Sequence, residues 1–205
     1  INYIIRQNYK YLIFCDADDY YSTDRVKLTI ESLSEADIVV NDLNIISFDN
    51  NILVKDYLSR SITVTTRIDW KFLLEKNLLG FSNTGLRVSR LREVHYPANL
   101  KIVDWYFYTL LLREGLKVKY IPSSLTFYRQ HADNLIGIGE FTVDLFKRLS
   151  ILKLEHYTYL TQSDLYFSFL KEKYTQLVQL NRDQIELILG KIKNKYPLWW
   201  ESINF

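Results

Sequence analysis

Tyr11–Val26 reads YLIFCDADDYYSTDRV. The run Tyr11–Cys15 is short, continuous and apolar, and it stops abruptly at Asp16-Ala17-Asp18-Asp19. Such a run predicts a strand buried on both faces rather than one face of a helix. Ser22-Thr23-Asp24 then offers N-cap chemistry for a helix through about Leu33. Ala36–Val40 (ADIVV) predicts a second buried strand, ended by Asn41-Asp42. Strand, helix and strand with short joins is the pattern of a right-handed βαβ unit in a parallel sheet, so the expected class is α/β.

Working outward, residues 43–66 predict short strands or a hairpin around Asp49-Asn50-Asn51. Helical spacing recurs over Asp69–Asn77 and Asp104–Glu114, the latter with an acidic start and Gly115 as its stop. Gly80–Val88 reads as a loop feeding a strand, and Lys117–Ile121 and Leu125–Arg129 as strands on either side of Pro122. From Phe141 onward the pattern is helical. A composition shift near Gly137–Gly139 divides the chain into a domain over 1–136 and a helical tail over 137–205.

The composition limits the function classes. The 205 residues carry 26 Lys+Arg against 24 Asp+Glu, a net charge of +2, which gives no electrostatic footprint for nucleic acid. With 48% hydrophobic residues, 6 Gly and 3 Pro, the chain is neither disordered nor fibrous. Cys15 is the one cysteine, which excludes an internal disulfide. No run approaches the roughly 18 apolar residues of a membrane span, and the expected location is cytoplasmic. There is no Met and residue 1 is Ile, so the chain is expected to be a piece of a longer product.

The acidic cluster carries the chemistry. In open sheets ligands bind beyond the carboxyl ends of strands, where Asp16, Asp18 and Asp19 stand. Three carboxylates within four residues repel one another unless a cation compensates, and Mg²⁺ or Mn²⁺ with bound phosphates is the natural compensator. A solvated turn with Asp as capping residue is the plainer alternative. An EF-hand loop beginning at Asp16 would need Gly where Tyr21 stands and Glu where Lys27 stands. An Asp-nucleophile phosphatase of the haloacid-dehalogenase type also opens with an apolar strand and Asp-x-Asp, but expects Thr or Val at Tyr20.

Four ordered segments, YLIFCDADDYYSTDRV, ADIVVND (Ala36–Asp42), IVDWYFYTLLLREGLKVKYIP (Ile102–Pro122) and SLTFYRQHADN (Ser124–Asn134), resemble the family 2 glycosyltransferases of GT-A fold. The resemblance covers Tyr11–Asn134 and implies a partial GT-A domain, mixed and mainly parallel, without most of the nucleotide-base pocket. It implies an inverting transfer of a sugar from a nucleotide-diphosphate donor, a UDP-sugar above all, to a saccharide or lipid-linked acceptor, with Mn²⁺ or Mg²⁺. Bacterial polysaccharide assembly follows by analogy only.

Carried over residue by residue, Asp18 is the direct metal ligand and Asp16 orients the ribose or the metal shell. Asp19 serves the sugar or caps the next helix, and His131 is a third metal ligand or a diphosphate donor. Asp104 matches the base, although Val103 stands where many members have Glu. Arg129 is expected on phosphate, Asn83 and Gly85 along the donor sugar, and Trp105 against the acceptor ring or, equally, packed in the interior. His95 and His156 receive no role. The tail, with Trp199-Trp200, is expected to pack on the domain, a peripheral membrane contact being the alternative. A truncated, non-catalytic transferase module is the third reading of the chain.

Overall fold

A computed structural model describes residues 1–131 and 141–191. They fall into two compact units: 1–95 with 107–131, and 96–106 with 141–191. Asn134, Gly137–Gly139 and Trp199-Trp200 lie outside the described residues.

The first unit contains α1 (Asn2–Ile5), β1 (Tyr11–Ile13), β2 (Tyr20–Tyr21), α2 (Arg25–Ser32), β3 (Ile38–Ile46), β4 (Ile52–Val54) and β5 (Thr84–Arg87). It also holds most of α3 (Val103–Arg113) and all of β6 (Val118–Arg129). The strands form one mixed sheet in the order β1-β5-β3-β6-β2, with β4 on the far end of β3. β3 is its spine, nine residues long and buried throughout. β6 runs parallel to β3 from Ile38↔Val118 to Ile46↔Arg129.

The expected βαβ unit is present with a strand inserted. β1 and β3 are each antiparallel to β5, so they run parallel to each other with β5 between them. β1 is therefore the end strand, three residues long and half-buried, and Cys15 is exposed; the expectation of burial on both faces fails for want of a second neighbour.

Asn41-Asp42 likewise does not end its strand. The Asp42 carboxylate accepts the Leu58 N–H at 2.7 Å, the Ser59 hydroxyl at 2.5 Å and the Tyr120 hydroxyl at 2.6 Å, so a buried polar pair costs little inside β3. The two strands expected around Pro122 are one strand: Asn41 pairs Ile121 and Asp42 pairs Leu125, leaving Pro122-Ser123-Ser124 as a bulge where proline needs no ladder hydrogen bond.

Residues 69–77 form successive turns, not a helix. The Leu74 N–H bonds three residues back to Lys71 and the Lys76 N–H three back to Leu73, and so short a segment is marginal as a helix on its own. By contrast α3 ends as its sequence dictates. Gly115 has φ +86°, and the Leu116 N–H reaches the Leu111 carbonyl at 3.3 Å to close the last turn. The expected hairpin forms between β3 and β4 with Asn50 at φ 64°, a conformation asparagine tolerates.

α2 packs on the sheet through Leu33, Ala36, Val39 and Ile121, with Tyr11 and Leu28 at the margin. Gly85 allows this approach: a Cβ there would lie 2.4 Å from Thr29 Cγ2.

The second unit contains α4 (Val143–Ser163), α5 (Ser168–Val178) and α6 (Arg182–Lys191). The Thr142 hydroxyl caps α4 by accepting the Leu145 N–H at 3.2 Å. Phe141, Phe146 and Ile185 form a core with Leu149, Leu177 and Leu189 around them. Among the described residues no helix is long and apolar enough to cross a membrane.

Gly85→Ala is expected to destabilise the protein by about 1–3 kcal/mol through overpacking against Thr29. Adding Thr29→Ser, which removes the clashing methyl, should recover part of that loss, as read from urea-denaturation midpoints.

Candidate functional site

The acidic loop between β1 and β2 is shaped by a residue to which the sequence reading gave no role. Arg25, in the first turn of α2, is 1% exposed. Its Nη2 donates to the Phe14 carbonyl at 2.8 Å and the Ser82 carbonyl at 2.9 Å, and its Nε to Asn41 Oδ1 at 2.9 Å. Nη1 reaches Cys15 Sγ at 3.3 Å, and the guanidinium lies 4.3 Å from the centre of the Tyr21 ring. The available signal was electrostatic: a cation at a helix N-terminus opposes the helix dipole and needs another reason to be there. Asp24, the expected cap, makes no side-chain capping bond. Ser22 instead ties this corner to β6, accepting the Leu125 N–H on its hydroxyl at 3.1 Å.

The three carboxylates have distinct surroundings. Asp19 is partly buried, accepting the Ser82 hydroxyl and the Arg129 backbone N–H, the latter at 2.8 Å. Burial outweighs both bonds, and with the neighbouring charges of Asp18 and Asp16 its pKa is pushed up to about 6. Asp16 keeps an exposed face, yet loss of water within the loop and then the Asp18 charge raise its pKa, with Arg25 opposing. The Tyr21 hydroxyl donates to the Asp16 carbonyl at 3.1 Å. Asp18 is exposed, and its Oδ2 lies 2.8 Å from His131 Nε2 across 113 residues of chain.

Arg129 is placed otherwise than the sequence suggested. Its Nε donates to the Asp18 carbonyl at 2.8 Å, and its Nη1 to the carbonyls of Ser47 at 3.2 Å and Phe48 at 2.7 Å. The guanidinium thus fastens the acidic loop to the β3–β4 hairpin.

Asn83 and Gly85 are both buried. Asn83 is 1% exposed and its Oδ1 accepts the Gly80 N–H at 2.9 Å. Gly85 faces Thr29 of α2.

In the second unit Asp104 stands in the first turn of α3, its Oδ1 2.7 Å from the Trp105 N–H, where the helix dipole favours a carboxylate. Trp105, expected against an acceptor ring, is 0% exposed and stacks on His156 with ring centres 4.1 Å apart. Of the two readings of Trp105, packing in the interior is the one its burial matches.

Among the described residues no group of three or more His, Cys, Asp or Glu side chains is gathered for a metal. The Asp18–His131 pair supplies one carboxylate oxygen and one imidazole nitrogen at an accessible edge. A carboxylate oxygen and an imidazole nitrogen are donor types that a divalent cation such as Mn²⁺ accepts.

No family model matches the chain, and no curated protein matches it. Among solved structures it is similar to S. aureus TarS, a glycosyltransferase, with TM-score 0.51 and 11% sequence identity, over 93% of this chain and 32% of that one. At that identity the likeness speaks for the fold alone. The fold is thus glycosyltransferase-like: a partial GT-A-like mixed sheet followed by C-terminal helices. The chain spans about a third of the length of TarS.

Arg25→Lys is expected to destabilise the protein by about 3 kcal/mol, because an ammonium cannot reproduce the forked contacts and leaves buried acceptors unpaired; urea denaturation measures it. Asp19 carries a second expectation. Its folded pKa lies above its ordinary value near 4, so the penalty of ionising it is full above about pH 6 and is relieved as the pH falls toward 4. Asp19→Asn should therefore exceed wild type in stability at pH 7.5, and the gap should close by pH 4, in paired denaturation curves.

Proposed function

We propose that this chain is part of a metal-assisted, inverting glycosyltransferase of the family 2 type, using a nucleotide-diphosphate sugar as donor. The observation that supports this most is the meeting of Asp18, from the acidic loop, with His131, just beyond β6, at 2.8 Å. Two segments that resemble separate motifs of one family converge there on a pair suited to a hard divalent cation.

On this reading Asp18 and His131 hold Mn²⁺ or Mg²⁺, and Asp16 orients the ribose or the ion's bound water. The cation, when bound, offsets negative charge on the departing diphosphate as a Lewis acid. Asp19, tied to Ser82 and Arg129, keeps the loop's shape. Its raised pKa reflects burial first and the neighbouring Asp18 and Asp16 charges after it. Asp104, carried over from the resemblance, takes the proton of the acceptor hydroxyl as that oxygen attacks the anomeric carbon. The acceptor is a saccharide or a lipid-linked saccharide, and a UDP-sugar is the first donor to test. The phosphatase reading gains no observation of its own.

The test is calorimetry on the full-length protein with UDP, with and without Mn²⁺. Binding should require the metal and weaken at least tenfold in Asp18→Ala and in His131→Ala. Metal-independent binding, or full binding by Asp18→Ala, overturns the site. In a transfer assay Asp104→Asn should keep donor binding and lower kcat by about 10²–10⁴-fold, the usual worth of a general base.

A further inference from the structure

The turn joining β3 to β4 presents an aromatic ring to water beside the proposed metal pair. Phe48 is 73% exposed, and its ring centre lies 6.2 Å from that of His131 in an edge-on arrangement. The residues after it, Asp49, Asn50 and Asn51, are exposed as well.

This turn is held firmly. The Ser47 N–H bonds to the Asn51 carbonyl at 2.8 Å, the Asn50 N–H to the Ser47 carbonyl at 3.1 Å and the Asn51 N–H to the Ser47 hydroxyl at 3.1 Å. Arg129 donates to the Ser47 and Phe48 carbonyls and also to the carbonyl of Asp18. One guanidinium therefore anchors the backbone that carries the exposed ring together with the acidic loop. A lone exposed phenylalanine is ordinary on a protein surface. One whose backbone shares its anchor with Asp18 is preorganised toward whatever Asp18 holds.

We propose that the Ser47–Asn51 turn is a saccharide subsite in which Phe48 stacks on the sugar ring of the donor. This rests on the reading of Asp18 and His131 as the site of a metal-bound diphosphate. The sugar is bonded to the terminal phosphate, so it is the ring nearest that site, whereas the base lies beyond the ribose. A pyranose presents an apolar C–H face and a rim of hydroxyls. An aromatic ring flanked by a carboxylate and two amides matches both features.

Calorimetry on the full-length protein with Mn²⁺ tests this, using pyrophosphate, UDP-glucose, UDP-N-acetylglucosamine and GDP-mannose as probes. Phe48→Ala is expected to leave pyrophosphate binding and the thermal midpoint unchanged. It should weaken the tightest sugar nucleotide about five- to tenfold, the scale of one aromatic contact, and Phe48→Tyr should restore it. Equal donor binding by wild type and Phe48→Ala, or an equal loss for pyrophosphate, overturns the subsite. Pyrophosphate binding indifferent to Asp18→Ala, or no binding of any probe, instead overturns the underlying reading and this inference with it.

Discussion

The fold of the first unit depends on one buried cation. The Arg25 guanidinium joins the end of β1 through Phe14, the segment before β5 through Ser82 and the middle of β3 through Asn41. A charge so far from water is tolerated only when fixed dipoles replace its hydration. Two carbonyls, an amide oxygen, the Cys15 sulfur and the Tyr21 ring do so here. Because these partners sit on separate elements, satisfying the charge also sets where the acidic loop leaves the sheet.

Arg129 works in the same way at the surface, with backbone carbonyls of Asp18, Ser47 and Phe48 as partners. Held between two arginines, the loop still keeps three carboxylates close, and the raised pKa values of Asp16 and Asp19 express that crowding along with lost hydration. Neither guanidinium aims its charge chiefly at the carboxylates. The Asp18–His131 contact at 2.8 Å lies at the edge of this crowded loop.

The second unit is knit together within itself across a long stretch of chain. Lys101 is fastened to α4 through Glu155, its Nζ lying 3.2 Å from Oε2, and Trp105 stacks on the next residue, His156. Burial, with the Lys153 charge adding to it, drives the His156 pKa down to about 3, so the ring acts as a neutral packing surface. Lys153, 5% exposed, donates to the Tyr174 hydroxyl at 3.2 Å. The stretch bearing Asp104 is thereby clipped to a helix that the sequence resemblance did not reach.

What the sequence determined by itself was local. The apolar runs of β1 and β3, the Gly115 stop of α3, the turn at Asn50 and the helical pattern after Phe141 all follow from neighbours a few residues apart. Asp18 and His131 were legible only because a multi-segment resemblance named them together. The tertiary structure decided the rest. It inserted β5 between β1 and β3, carried β3 through Asn41-Asp42 and made one strand of two around Pro122. It also gave Arg25 and Arg129 their partners and drew Asn83, Gly85 and Trp105 into packing. Each of these depends on groups far apart in the chain, such as Arg25 and Ser82 or Asp18 and His131. Periodicity and spacing record which face of an element is apolar, not which distant dipole will meet a given charge.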